Sequence, residues 1–536
     1  MRTAAREASA SRQLPAPTID RDDEPVLGGE HPGTLPEPVI TVARDAHVGD
    51  DSLVGDDSAV TGGRPMRPLQ RIQLLCDEGS LQIIRSGATS TALGEKAKAG
   101  DGVVGAIAKV GGRPVACFAQ DSSFAGGSLG AAHAETITRV QRHAEKAGIP
   151  VIGFVESGGA RMQEGLAALD GYARIFSQHV ALSGSVPQIS IIVGLSAGGG
   201  CYSPALTDFV IMTEAAAMFL TGPAVVKEVT GQATTAPELG GARVHERNGV
   251  SQFVVDSDVD SIFLVRELLG YLPSNAWTAP PTTIAREPDG PDPGGVVPLD
   301  QRHAYDVRDA IAGIVDGGPT LEVSPKWARN LVTAFARIEG RPVGIVANQP
   351  KYMGGVLDAE AGQKGGRFVR TCNSFGIPLV VLVDTPGFLP GTDQEQIGVI
   401  RHGAKLLHAF AEATVPRYTV VLRTAFAGAY ITMNSKDLGA DAVFAWSRAE
   451  LGIMGPQQAV GIVNRREIAA ADDPHTAREK LAAQYAAKHL DAGAAARGGH
   501  VDEVVRPGET RQRLAIALSM GAADRGGRGA VRNIPL

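Results

Sequence analysis

The chain is poor in the residues that announce a redox, metal or membrane function. Its four cysteines, Cys76, Cys117, Cys201 and Cys372, stand far apart and form no CxxC pair. That spacing supports neither a zinc site nor a disulfide framework and suits a reducing compartment. Aromatic residues make up only 5% of the chain, and no uninterrupted apolar run is long enough to cross a membrane. The N-terminal stretch MRTAAREASASRQLPAP lacks the apolar core of a signal peptide, so a cytoplasmic protein is expected. Basic clusters are missing too, and a net charge of −7 argues against a nucleic-acid partner.

Side-chain nucleophile motifs are equally scarce. No GxSxG elbow, HExxH or Walker A sequence occurs, and the nearest approach to the last, Gly354 to Lys364, has the wrong spacing. His133, His245, His402 and His408 lie in charged stretches and read as surface residues. Asp384, before Thr385, Pro386 and Gly387, reads as an Asx turn, and Glu156 as either a base or a cap for the next helix.

What the chain has in excess is glycine: 66 of 536 residues, about 12% against a usual ~7%. With 43% apolar residues it can still bury a large core, which excludes global disorder. The length predicts two domains plus tails. Residues 1–66, rich in Pro, Gly, Asp and Ser, read as a disordered leader, and 281–300 as a linker between domains at 67–280 and 301–536.

Those two halves repeat one another. GGRPVACFAQD at 111–121 answers to EGRPVGIVANQ at 339–349, and AGIPVIGFVESGG at 147–159 to FGIPLVVLVDTPG at 375–387. SVPQISIIVGLSAGGG at 185–200 answers to TVPRYTVVLRTAFAGA at 414–429. Pro114, Pro150 and Pro187 map to Pro342, Pro378 and Pro416, offsets of 228, 228 and 229. Each half cycles an apolar run, a glycine-rich bend and a helical stretch, which predicts parallel α/β sheets covered on both faces.

The glycines gather at those bends. A bend between a strand and a helix exposes backbone amides at the positive end of the helix, and glycine lets an anion or a developing oxyanion approach. The same glycines would also serve tight turns or close helix packing. The sequence offers Gly158 and Gly159 in one half and Gly428 and Ala429 in the other as two amide pockets for two carbonyl oxygens.

The ordered motifs AGGSLG, ESGGARMQEG, LSAGGGCYSPALTDFVIM, ELGGARVH, GRFVRTC, VDTPGFLPGTDQEQIGVIRHGAKLLHAFAEATVP, AGAYITMNSKDLGAD and RNIPL resemble a known family over about residues 68–536. It is the β, or carboxyltransferase, subunit of biotin-dependent acyl-CoA carboxylases, of the propionyl- and acetyl-CoA type. The resemblance implies two duplicated crotonase-like (ClpP/crotonase) α/β domains, and a homohexamer whose sites form between the first half of one subunit and the second half of another. It implies transfer of CO2 from carboxybiotin, on a separate biotin carboxylase/biotin carrier α subunit, to the α-carbon of an acyl-CoA. The product would be of malonyl-CoA type, for fatty acid or polyketide precursor metabolism. Gly158, Gly159, Gly428 and Ala429 would hold the two oxyanions; Ala160, Ala197, Gly198, Gly199, Tyr202 and Ile431 would meet substrate. No metal is implied. The alternatives are a biotin-dependent acyl-CoA decarboxylase subunit and a crotonase-type hydratase or hydrolase acting without biotin.

The chain departs from propionyl-type members where the acyl group would sit. Ile431 follows GAY where many propionyl-type members have Asp, such members tend to have Lys near Thr424, and MGPQQAV at 454–460 stands in place of their MGAQGAV. An apolar Ile431 favours burial of an alkyl tail, at ~0.8 kcal/mol per CH2, so acetyl or longer acyl groups are expected rather than propionyl alone. Gly362, Gly365 and Gly366 fall on a predicted helix that they would weaken by up to ~1 kcal/mol each.

Overall fold

The computed structural model describes residues 66–318, 320–521 and 532–533, so the expected leader lies outside the described residues except for Met66. Two eight-stranded mixed sheets organise the chain. The first contains β1 (Gln82–Ile84), β2 (Val103–Val110), β3 (Arg113–Gln120), β4 (Val151–Ser157), β5 (Gln188–Ala197), β6 (Phe209–Thr213), β7 (Ala217–Phe219) and β8 (Phe253–Val255). The second contains β9 (Leu321–Glu322), β10 (Leu331–Ile338), β11 (Arg341–Asn348), β12 (Leu379–Thr385), β13 (Arg417–Phe426), β14 (Ala442–Trp446), β15 (Glu450–Gly452) and β16 (Glu503–Val505).

The sheets have the same order, strand for strand. The first runs β1-β2-β3-β4-β5-β6-β8 with β7 beside β5, and the second β9-β10-β11-β12-β13-β14-β16 with β15 beside β13. The first three strands of each are antiparallel and the rest parallel, joined by helical crossovers. Even the unusual backbone is duplicated. Ala125, Gly126 and Gly127 have φ of +50°, +62° and +70°, and Met353, Gly354 and Gly355 have +49°, +65° and +76°.

The apolar strands bury both faces. Val151 and Val155 of β4 meet helices Ala131–Ala147 and Leu166–Leu182, while Ile152 and Phe154 face a middle core. In β12 it is Leu379, Val381 and Val383 that face this middle core, with helices Ala359–Ser374 and Val399–Glu412, and Val380 and Leu382 look toward helix Thr510–Met520. The halves therefore stack in the same orientation rather than back to back. Phe335 locks the seam, its ring 6.1 Å from Phe209, 5.7 Å from Tyr271 and 5.1 Å from Phe368. Burying such a ring contributes about 2–3 kcal/mol.

The glycines at 362–366 have a packing reason. A Cβ on Gly362 would stand 2.6 Å from His402 O, and one on Gly366 3.3 Å from Lys405 O, so helix Ala359–Ser374 presses its bare backbone against helix Val399–Glu412. Residues 281–300 lie along the second sheet: Thr283 N–H donates to Gly340 O at 2.9 Å, and Arg337 Nη1 to Pro281 O at 2.9 Å.

Candidate active site

Each half ends two parallel strands in neighbouring bends, and the register sets those bends side by side. β4 and β5 slip after Val155, so that Ser157 pairs with Ser196; β12 and β13 slip after Val383, and Thr385 pairs with Ala425. A hydroxyl closes the first bend of each pair. The Gly159 N–H donates to Ser157 Oγ, and the Gly387 N–H to Thr385 Oγ1, both at 3.3 Å. Ala160 then bridges to Leu129 and Phe388 to Leu357.

The second bend of each pair opens a short helix, Gly199–Ala205 after β5 and Ala427–Thr432 after β13. Both turn through positive φ, +58° at Gly198 and +56° at Ala427. Glycine adopts that conformation freely, whereas alanine is destabilised there by ~1–2 kcal/mol.

The strand pairing agrees with the repeat alignment and shows that the two pockets expected from the sequence, Gly158 with Gly159 and Gly428 with Ala429, are not equivalent positions. Gly199 and Gly200 match Gly428 and Ala429, each following the fifth strand of its sheet, whereas Gly158 and Gly159 match Pro386 and Gly387 after the fourth. The repeat offset of 229 after Pro187 carries the same signal in the sequence. Helix-initial amides have no intrahelical acceptor, so those of Gly199, Gly200, Gly428 and Ala429 remain donors. The Gly158 N–H joins no hydrogen bond among the described residues, while Pro386, in its place, has no N–H. In the first half the two bends touch: a Cβ on Gly159 would lie 3.5 Å from Ala197 O, and one on Gly200 3.2 Å from Ser157 Cβ.

The walls differ between halves. The Tyr172 ring lies 2.8 Å from where a Gly199 Cβ would be, and its hydroxyl is 3.0 Å from Ser157 Oγ. Burial pushes that phenol up to about 12, so it stays protonated. Phe176 continues the aromatic row from Tyr172 at 5.8 Å to Tyr202 at 6.1 Å; Tyr202 is 52% exposed. In the second half the Phe388 ring lies 3.8 Å from where a Gly428 Cβ would be, and Ile431 is 47% exposed.

Three carboxylates that flank these bends, Glu156, Glu164 and Asp384, all have structural partners. Glu156 neither caps a helix nor stands free: it meets Arg71 Nη1 at 3.4 Å, while Arg71 Nε donates to Asp258 at 2.7 Å. Glu164 accepts from Ala131 N–H at 2.6 Å, Ser90 Oγ at 2.7 Å and Arg161 at 2.9 Å. Burial pushes its carboxyl up, yet these bonds outweigh burial and hold it below the usual range. Asp384 makes no Asx turn; Thr385 supplies the turn hydroxyl. Asp384 is instead a buried acceptor for Arg423, Tyr305 and Thr424, and burial raises its carboxyl despite them. His133 and His402 also depart from the surface reading, since both are buried. His133 lies 3.1 Å from Gln120 Nε2, and burial drives it down to about 3, where it is neutral. Among the described residues no three His, Cys, Asp or Glu side chains gather as a metal site.

Comparison with known proteins gives the family. Residues 63–528 fit the carboxyl transferase domain family. The chain is 48% identical over 429 residues to a propionyl-CoA carboxylase carboxyltransferase subunit of Haloferax mediterranei, covering 78% of this chain and 83% of that one. It is 44% identical over 482 residues to a methylmalonyl-CoA decarboxylase subunit alpha of Veillonella parvula, covering 88% and 93%. The solved transcarboxylase 12S structure, a hexamer with methylmalonyl-coenzyme A and methylmalonic acid bound, superposes with a TM-score of 0.84 at 46% identity, covering 87% of this chain and 91% of that one. With that match spanning both sheets and both pairs of bends, the chain belongs to the carboxyl transferase family, built as two crotonase-like α/β halves.

Proposed function

We propose that the chain is the carboxyltransferase subunit of a biotin-dependent acyl-CoA carboxylase. It moves a carboxyl group from biotin, held on a separate α subunit, to the α-carbon of an acyl-CoA. One observation carries the reading: two sets of backbone donors at matched strand ends, with the flanking carboxylates of Glu156, Glu164 and Asp384 already bonded to structural partners.

Removing the α-proton of a thioester puts negative charge on its carbonyl oxygen, and preorganised N–H donors stabilise that charge most where it develops. The amides of Gly158, Gly199 and Gly200 suit this oxygen, with Gly159 and Ala160 framing the bend. Ala197 and Gly198 with Tyr202 line the approach of the CoA. The second set fits biotin: Gly428 and Ala429 offer neutral donors to a ureido oxygen, and the Phe388 ring gives a flat apolar flank. When bound, carboxylated biotin supplies the carboxyl group and, once that leaves, a basic ureido group for the α-proton. Ile431, beside the second bend, walls the acyl group and favours an alkyl chain over a charge.

The catalytic halves are residues 67–280 and 301–536, joined by 281–300. Apolar side chains stand exposed near both bends, among them Met162, 90% exposed, and Leu166 in the first half, and Ile400 and Ile453 in the second. Such surface suits burial between copies, in a homohexamer whose sites are shared between subunits. No described helix is long and apolar enough to cross a membrane.

The test is to supply the purified chain with a carboxylated biotin carrier and a panel of acyl-CoAs, and to weigh the products. The expected result is acyl-CoA gaining one carboxyl group. No product from any acyl-CoA would overturn the reading, and loss of carboxyl from methylmalonyl-CoA without any gain would mark a decarboxylase.

A further inference from the structure

The strained bend of the second half has a clamp behind it. Asp384, 2% exposed, sits at the end of β12 with both oxygens filled. Its Oδ2 accepts from Arg423 Nε and from Tyr305 OH, each at 3.0 Å. Its Oδ1 accepts from the Thr424 N–H at 3.1 Å and the Thr424 hydroxyl at 2.7 Å. Arg423 is anchored in turn: Nη1 donates to His303 O at 2.9 Å and Asp300 O at 3.2 Å, and its guanidinium lies 5.2 Å from the Tyr305 ring centre. The bonds of Arg423 and Thr424 fix the stretch of β13 that runs into Ala427.

The first half shows the same position without the clamp. Glu156 precedes Asp384 by 228 residues, and both backbone amides donate to matched side chains, Glu156 N–H to Gln120 and Asp384 N–H to Asn348. There the likeness stops. The residue matching Arg423 is Gly194, whose Cβ would fall 2.4 Å from Glu156 Oε1, and among the described residues the Glu156 carboxylate has only the 3.4 Å contact with Arg71. The tight clamp thus stands behind the bend made by alanine, and the loose one behind the bend made by glycine, at the same φ. A non-glycine residue keeps such a conformation only where its surroundings over-determine it.

We propose that Asp384 is a positioning residue: through Arg423 and Thr424 it holds Ala427 in its left-handed bend and so sets the Gly428 and Ala429 amides for the biotin ureido oxygen. The proposal rests on the reading of those amides as one of the two pockets.

The test compares Asp384→Asn, Ala427→Gly and the double variant in the assembled enzyme, with kcat and KM for acyl-CoA measured separately. Asp384→Asn keeps the side chain's size but removes the charge opposite Arg423. Its kcat is expected to fall about 10- to 100-fold, the scale of a misplaced catalytic group, with KM for acyl-CoA changing less than about threefold. Adding Ala427→Gly should restore most of that loss, since glycine holds the bend without the clamp. Glu156→Gln should lose far less than Asp384→Asn. Where Asp384→Asn does not assemble, Thr424→Val, which removes a single hydroxyl donor, carries the same comparison with a smaller loss. An unchanged kcat in Asp384→Asn, or a double variant as slow as the single, overturns the proposal while the wild type remains active. A wild type inactive on every acyl-CoA overturns the underlying reading and the proposal with it.

Discussion

The two pairs of bends are one design executed twice with different materials. The first half makes its second bend from Gly198 and offers the amides of Gly158, Gly199 and Gly200; the second makes it from Ala427 and offers those of Gly428 and Ala429. In the first, the Tyr172 ring presses directly on the glycine backbone; in the second, Phe388 stands off at ordinary contact distance. Duplication preserved strand order, register and bend geometry, while the means of holding each bend diverged. One half relies on a residue with no conformational preference to overcome, the other on bonds that impose the conformation.

The largest effect expected from this difference is at Gly158. A Cβ there would lie 2.5 Å from the Gly126 carbonyl oxygen, backbone that cannot swing aside. Gly158→Val should lower turnover by at least ~100-fold while the protein still assembles, the scale of losing an oxyanion donor. Normal turnover would remove this bend from the site. Next come two alanine substitutions at matched places. Gly199→Ala must displace the Tyr172 ring from 2.8 Å, whereas Gly428→Ala meets nothing nearer than Phe388 at 3.8 Å. Turnover should therefore drop about tenfold or more in the first and less than about threefold in the second. Equal losses would show that the walls do not differ in the way their geometry implies.

A third test sharpens the contrast in chemistry. Ile431 stands beside the second bend and is half-exposed, so a carboxylate there is readily hydrated in the free enzyme but opposes burial of an alkyl tail. Ile431→Asp should shift preference toward shorter acyl groups, by up to ~0.8 kcal/mol per CH2, or about fourfold per carbon, in kcat/KM across an acyl-CoA series. An unchanged profile would place the chain-length wall elsewhere.

Much of this was legible beforehand for a physical reason. Near-continuous apolar runs such as VVLV at 380–383 belong to strands buried on both faces, and prolines fixed at one offset reveal a duplicated backbone. The family's ordered motifs carried the chemistry. What stayed hidden were facts of three-dimensional pairing. Arg71 and Glu156 are distant in sequence, as are Tyr305, Asp384 and Arg423, and no local pattern links them. The burial of His133 was invisible because its charged neighbours in sequence point away from a helix face that packs on the sheet. The glycines at 362–366 looked like helix weakeners because the helix that presses on them lies some forty residues further on.

The smallest expected effect tests whether the halves also differ in their response to acid. At matched helix starts, the Ala131 N–H donates to the Glu164 carboxylate at 2.6 Å, whereas the Ala359 N–H donates to the Gln394 side-chain carbonyl at 3.1 Å. Only the first acceptor titrates. The Glu164 carboxyl is held below its ordinary value of 4.5, so the stability it contributes is present above that value and is lost as pH falls through the depressed one. Protonation removes a charged acceptor from Ala131, Ser90 and Arg161 together, a loss on the order of 2 kcal/mol confined to that corner of the first half. Amide exchange at Ala131 should accelerate, relative to Ala359, as pH falls from neutral toward about 3, after correction for intrinsic rates. Glu164→Gln, which gives the first half the neutral acceptor of the second, should erase the difference; if it persists, the acid response of that helix start arises from a group other than Glu164.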